Sequence, residues 1–339
     1  MMTRIAINGF GRIGRLFFRQ ASGEKGIEVV AINDLGDVAN LAYLLQYDSV
    51  YGRFPKDVNV RRGNLVVGGK EIKVLQVREL SKLPWKKLGV DIVIEATGAF
   101  ESYEASKGHI EAGAKRVVIT APTKDADGKD GTAVLMGVNE EKLRSVKISS
   151  NLSCTTNAIS PIIAVLTEKP GIKKAILSTV HGYTATQNLV DGPVRGSDWR
   201  RGRAGAFNIV PSTTGAATAL ARAVDSMKDK FDGIAFRVPI IAGSIADITL
   251  VSKRRTSVKE INTILTKAAQ SSRWKKIMKV VDDQVVSSDI LGEPYGAIVD
   301  LSFTKVVDGD LVKILSWYDN EYGYVSTLLE HVRRAAKLV

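Results

Sequence analysis

The stretch Gly9-Phe10-Gly11-Arg12-Ile13-Gly14 constrains this chain more than any other. Ahead of it, residues 4–8 alternate with Ile5 and Ile7 apolar; behind it, Ile13, Leu16, Phe17 and Ala21 keep a helical period. A G-x-G-x-x-G run between a strand and a helix asks for a tight turn at Gly9, close backbone approach to a ligand at Gly11, and a helix pressed onto its strand at Gly14. The unpaired N–H groups of such a helix start favour a pyrophosphate. Asp34 closes the next apolar run, Val29-Val30-Ala31-Ile32-Asn33, 20 residues beyond Gly14. An acid at that place holds the ribose hydroxyls of an adenosine and repels a 2′-phosphate, so the expected cofactor is NAD rather than NADP.

Further buried runs follow, Asp91-Ile92-Val93-Ile94-Glu95 and Arg116-Val117-Val118-Ile119, each ending in small or polar residues. In an open α/β sheet, ligands bind at the carboxyl ends of the strands, which makes Thr97 and Thr120 candidates for the cofactor crevice. The region from Tyr47 to Gly69 reads as surface hairpins.

The sole cysteine sits in Ser150-Asn151-Leu152-Ser153-Cys154-Thr155-Thr156-Asn157, crowded by hydroxyls and amides. Ile159, Ile162, Ile163 and Leu166 then recur as one helix face, with Pro161 expected in the first turns. Cys154 is therefore expected at a helix start capped by a hydroxyl residue, where a thiol ionises more readily than a free one. The histidines are His109, His181 and His331. His181 ends a strand read from Lys173 to Val180 and is the candidate base for Cys154. His109 and His331 lie in helical patterns and read as solvated or packed. Farther on, Ile234, Phe236 and Val238 alternate on one strand face with Arg237 on the other, the pattern of an antiparallel sheet.

Length bears on domain count: 339 residues suggest two domains. A single cysteine excludes an internal disulfide framework, no apolar run is long enough for a membrane helix, and the opening residues carry no leader pattern, so a cytoplasmic location is expected. The 48 basic residues against 36 acidic ones give +12, but they are scattered, with the densest groups at Arg200-Arg201-Gly202-Arg203 and Arg273-Trp274-Lys275-Lys276. That scatter fits steering of small anions and gives no reason to expect nucleic acid; no metal-ligand spacing is present.

Several motifs together resemble the phosphorylating glyceraldehyde-3-phosphate dehydrogenases across essentially the whole chain. They are Asn8 to Arg15, Ser150 to Asn157, His181-Gly182-Tyr183-Thr184 with Gln187, Pro211 to Ala217, Phe236 to Pro239, and Trp317 to Glu321. The resemblance implies a doubly wound, parallel-sheet dinucleotide-binding domain over 1–152, completed by a helix over 321–339. It implies an α+β catalytic domain with a mostly antiparallel sheet over 153–320. Cys154 would be the nucleophile and His181 its base. Arg12, Ile13, Asp34, Arg78, Thr120 and Asn320 would contact NAD, with Tyr324 near the nicotinamide. Thr184, Thr186 and Arg237 would hold the phosphate of glyceraldehyde 3-phosphate. Ser153, Thr155, Thr214 and Gly215 would hold inorganic phosphate, helped by Arg201, where family members differ. The irregular stretch from Tyr183 to Asn208 would lie at a homotetramer interface. Leu152, Gly182 and Tyr322 depart from the family's usual Ala, Ser and Trp. The rival readings are an erythrose-4-phosphate dehydrogenase, a basic nucleic-acid-binding relic of the fold, and a Cys–His hydrolase.

Overall fold

In the computed structural model, which describes residues 2–194 and 196–339, the chain divides into two units: Met1–Leu152 with Leu328–Val339, and Ser153–Thr327. The first unit is built on a sheet whose parallel strands run in the order Lys70–Leu75, Ile27–Asn33, Thr3–Asn8, Ile92–Glu95, Arg116–Ile119, Ile148–Ser150 and Thr132–Ala133. Short antiparallel strands, Val58–Arg61 and Asn64–Val67, extend one edge. Ile5, Ala6 and Ile7 of the central strand are wholly buried, as a parallel strand covered on both faces requires. The strand order reverses beside Thr3–Asn8, which has Ile27–Asn33 on one flank and Ile92–Glu95 on the other. Gly9, Asp34 and Ala96-Thr97 follow these three strands directly, so the turn, the acid and Thr97 meet at the switch point where such sheets bind ligands.

Sterics explain two glycines of the turn. Gly9 has φ +91°, and a Cβ on it would stand 2.6 Å from the carbonyl carbon of Ala96. A Cβ on Gly14 would stand 2.1 Å from the Gly9 carbonyl oxygen, so the helix Arg12–Ala21 rests on its strand with no room for a side chain.

The second unit carries a sheet in the order Val210–Thr213, Phe231–Val238, Ile172–Gly182, Ser244–Ser252, Leu311–Tyr318, Ala297–Val307 and Met278–Val281. Its pairings are antiparallel except Ile172–Gly182 with Phe231–Val238 and Met278–Val281 with Ala297–Val307. The helix Cys154–Glu168 is buried from Thr155 to Leu166. Pro161 lies in its interior rather than in the first turns. A proline there leaves the Asn157 carbonyl without its helical donor, and the Ser160 hydroxyl donates to that oxygen at 3.3 Å. The helix Ala216–Ala221 is followed by a 3-10 turn at Asp225–Met227.

The last helix, Tyr322–Ala336, carries His331 into the first unit. His331 is fully buried: its Nδ1 lies 3.1 Å from Asn151 Oδ1, and its Nε2 lies 2.9 Å from the Ser149 hydroxyl. Donation to the amide oxygen puts the proton on Nδ1 and leaves Nε2 to accept from serine. Burial first, then nearby Arg116, pushes its pKa down to about 3.

Because the folded value lies below the ordinary histidine value, this contribution to stability is full above pH 6.5 and is lost as pH falls toward 3. The slope from one such histidine reaches about 1.4 kcal/mol per pH unit. Urea unfolding of the protein between pH 7 and pH 4 should show it, with a shallower dependence in His331→Gln. An equal slope in both proteins would remove His331 as its source.

Candidate active site

In the first unit, the helix start at Arg12 is capped by Gly11, which offers no side-chain acceptor to the first N–H groups. Beside it lies a cavity of ≈ 380 Å³ whose lining includes Gly9, Gly11, Asp34, Arg78 and Thr97. Asp34 accepts the Phe10 N–H at 2.7 Å and the Gly36 N–H at 2.8 Å, which fixes its carboxylate at the rim. Uncapped N–H groups, an open backbone at Gly11 and an acid at the next strand end suit the pyrophosphate and ribose of a dinucleotide. Ile13 is half-buried in the first turn of the helix. Arg12 is paired with Asp48, and its guanidinium lies 5.2 Å from the centroid of the Tyr51 ring. Thr97 and Thr120 turn their hydroxyls inward, to the Glu95 carboxylate and the Glu95 carbonyl respectively.

In the second unit, Ser153 caps the helix that Cys154 begins: its Oγ accepts the Thr156 N–H at 3.1 Å. Parallel register places His181 opposite Arg237 on neighbouring strands. Cys154 Sγ lies 3.4 Å from His181 Nε2, so the thiol and imidazole expected to act together are in contact. Cys154 keeps some solvent exposure. The packing around its sulfur nevertheless pushes the thiol pKa up, while Arg237 and then hydrogen bonds from Thr155 pull it down. This corrects the expectation of a readily ionised thiol: the helix-start contributions exist but are smaller than the cost of burying the charge. Burial, then Arg237, brings His181 down to about 3. Neither group ionises easily alone; a proton passing from Sγ to Nε2 creates an adjacent ion pair and leaves the net charge unchanged.

Hydroxyls and guanidinium groups line the same unit. The Thr184 and Thr186 hydroxyls are 3.0 Å apart. Arg201 donates to Thr186 at 3.0 Å and to Ser212 at 2.8 Å, with Asp198 beyond. The structure therefore ties Arg201 to a residue that the sequence resemblance assigned to the other anion. Thr214 accepts the Ala216 N–H at 3.2 Å, and Gly215 is exposed at the start of the next helix. Thr155 is buried, and its hydroxyl meets Tyr318 at 2.9 Å, away from solvent. Asn320 uses Oδ1 to accept from Gly243 N–H and the Ser244 hydroxyl, and Tyr324 is buried in the last helix. Arg237 is half-buried and, among the described residues, has no carboxylate partner; its Nε is buried without a hydrogen bond.

Sequence reasoning gave no role to Tyr318. Its hydroxyl joins Thr155 to Thr179 at 2.8 Å, and its ring meets His181 edge-on at 5.9 Å between centroids. The only sequence signal was its place in Trp317-Tyr318-Asp319. In the first unit, His109 is fully buried: it accepts from Trp85 Nε1 at 3.0 Å and faces Glu95 at 3.0 Å, while Asn8 also donates to Glu95 at 2.6 Å. This network lies beneath the strand ends that carry Gly9 and Thr97.

Comparison with known proteins joins these features. Residues 3–103 match the family model of the glyceraldehyde 3-phosphate dehydrogenase NAD binding domain, and residues 153–320 match that of its C-terminal domain. The chain is 45% identical over 341 residues to a protein of Clostridium pasteurianum named glyceraldehyde-3-phosphate dehydrogenase, covering 99% of each. It is 47% identical over 345 residues to the protein of that name from Mycobacterium avium, again covering 99% of each.

Tyr318→Phe removes one hydroxyl shared by two buried threonines. A loss of about 1–3 kcal/mol in unfolding free energy is expected from the exposed need of Thr155 and Thr179 for a partner. Denaturant titration checks this; an unchanged midpoint would mean that the two threonines repair the gap between themselves.

Proposed function

The chain belongs to the glyceraldehyde-3-phosphate dehydrogenase family, and from that premise we propose how its own residues carry the reaction. It is an NAD-dependent oxidoreductase of glycolysis whose substrates are glyceraldehyde 3-phosphate and inorganic phosphate. The observation that carries the residue assignment is the 3.4 Å contact of Cys154 with His181, set beside an uncompensated Arg237.

In this reading Cys154 Sγ attacks the aldehyde carbon and its proton passes to His181, which returns a proton to the carbonyl oxygen to give a thiohemiacetal. The Cys154 N–H and His181 Nε2 steady the developing oxyanion. Bound NAD supplies the hydride acceptor. His181 removes the hydroxyl proton as the hydride departs, leaving a thioester on Cys154. An oxygen of inorganic phosphate then attacks that carbonyl, the C–S bond breaks, and 1,3-bisphosphoglycerate leaves with the oxidation energy kept in its acyl phosphate.

The cofactor falls to Gly9, Gly11, Arg12, Ile13, Gly14, Asp34, Arg78, Thr97, Thr120, Asn320 and Tyr324. Support comes from the uncapped helix start and from the cavity that Asp34 and Arg78 line. Thr184, Thr186 and Arg237 take the phosphate of the aldehyde, and Ser153, Thr155, Thr214, Gly215 and Arg201 the attacking phosphate. The Thr155 hydroxyl is engaged with Tyr318 and its backbone N–H with the Cys154 sulfur, so its part at the second anion is secondary to that of its neighbours. Thr184 and the run Pro211 to Ala217 speak against the erythrose-4-phosphate reading.

We also read the protein as a cytoplasmic homotetramer that binds no nucleic acid. No helix among the described residues is long and apolar enough to cross a membrane. Leu189, Val190, Trp199, Phe207 and Ile209 stand exposed in and beside the irregular stretch, an apolar area that asks for a covering copy. Sedimentation against concentration tests the assembly.

Two outcomes test the chemistry. Without phosphate, NADH should form in a burst of roughly one equivalent per subunit or less and then nearly stop, because the thioester waits for its nucleophile; phosphate should restore turnover. Undiminished steady turnover in phosphate-free buffer would instead point to hydrolysis. Asp34→Gly should narrow the preference for NAD over NADP, measured as the ratio of kcat/KM, by removing the carboxylate that repels a 2′-phosphate. A ratio near one in the unmodified protein would overturn the role of Asp34.

A further inference from the structure

The neighbours of His181 make opposite demands on one nitrogen. Nδ1 lies 2.6 Å from the Gly182 carbonyl oxygen and 2.6 Å from Nη1 of Arg237. A carbonyl can only accept and a guanidinium can only donate, whereas a neutral imidazole nitrogen holds either a proton or a lone pair. Only one of the contacts is satisfied at a time. With the proton on Nδ1, the ring donates to Gly182 and turns the lone pair of Nε2 toward Cys154 Sγ, 3.4 Å away. With the lone pair on Nδ1, the ring accepts from Arg237, and Nε2 carries its proton toward the sulfur. The first form can take a proton from substrate; the second can only give one.

Which form wins depends on what else Arg237 can bind. Its Nε is buried without a hydrogen bond, no carboxylate pairs with it among the described residues, and its other contact is a long one, 3.3 Å from Nη1 to the Gly182 oxygen. In the resting protein, Nδ1 is the best acceptor within its reach. A guanidinium pressed against a protonated Nδ1 would be repelled, so it selects the tautomer that accepts. Parallel register holds the two side chains opposite each other, so the contact follows from the fold rather than from a flexible surface.

We propose that Arg237 is a positioning residue that sets the tautomer of His181 and that an anionic phosphate group on the substrate resets it. Without the anion, Arg237 keeps the proton on Nε2. When a phosphate oxygen takes the guanidinium, Nε2 gives up one proton to water, Nδ1 takes one up and donates it to Gly182, and the ring stays neutral throughout. His181 then becomes the base that hydride removal needs. The base is assembled by the end of the substrate that does not react, so an aldehyde without a phosphate meets a histidine in the wrong form. This rests on the proposed assignment of Arg237 to the phosphate of the aldehyde.

Nitrogen NMR of the full-length protein labelled at its three histidine rings tests the idea, with His181→Asn identifying the signals of His181. The probe is glycerol 3-phosphate, which has the phosphate and no aldehyde. In the unmodified protein near neutral pH, Nε2 should be the protonated nitrogen, and saturation with the probe should move the proton to Nδ1. Arg237→Leu should show the Nδ1-protonated form with or without the probe, and Arg237→Lys, which keeps a donor, should retain the Nε2-protonated form when free. The same tautomer in all samples, or no binding of the probe to the unmodified protein, would overturn the proposal. Turnover of glyceraldehyde 3-phosphate by the unmodified protein is measured alongside. Turnover without a tautomer change sinks this inference and leaves the dehydrogenase reading standing, whereas a tautomer change without turnover sinks that reading and leaves the Arg237 coupling.

Discussion

The cluster of Cys154, His181 and Arg237 depends on one strand register. Ile172–Gly182 and Phe231–Val238 run parallel with His181 opposite Arg237. Side chains alternate along a strand, so a slip of one residue would send the imidazole or the guanidinium to the other face and dissolve the cluster at a stroke. The register is held by long ladders on both flanks: the same central strand pairs antiparallel with Ser244–Ser252 over most of its length. His181 and Arg237 thus stand at the ends of well-anchored strands, and the capped start of the helix Cys154–Glu168 brings the Cys154 thiol to His181.

Burial around this cluster has a cost that the cluster uses. It raises the thiol, lowers the imidazole and disfavours the Arg237 charge, each for the same reason, that an ion loses its water there. The thiol and imidazole each favour the neutral form while the guanidinium stays charged without a carboxylate, so in the proposed reading a proton moves between the first two and an anion meets the third. Tyr318 supports this arrangement from below, holding Thr155 of the helix to Thr179 of the strand.

Much of this was legible in the chain. The glycine run with Asp34 fixes a parallel sheet and its switch point, because only certain backbones pass through Gly9 and Gly14. The polar surroundings of Cys154 and the hydroxyl before it announce a capped helix start. What stayed hidden is what depends on long-range register and on burial. The Tyr318 hydroxyl finds partners 163 and 139 positions away, and Glu95 meets Asn8 across 87; no local pattern carries such pairs. The polar helical pattern leaves His109 either solvated or packed, and it is packed, wholly enclosed with partners supplied by Trp85 and Glu95. The thiol's ionisation was misjudged because a sequence shows its polar neighbours and not how densely they close around the sulfur. Pro161 was placed a turn or more too early, since the sequence does not reveal that Ser160 replaces the missing donor.

Gly182 has a neighbour that leaves no room for a side chain. A Cβ built there would stand 2.9 Å from the Ile240 carbonyl oxygen, which itself accepts the Tyr183 N–H at 3.1 Å. The bend around Ile240 can therefore lie closer to residue 182 than it could with a serine present. The identity of 182 and the path of the backbone near 240 are mutually dependent. A serine at 182 in this chain would therefore have to push that bend outward before it could be accommodated.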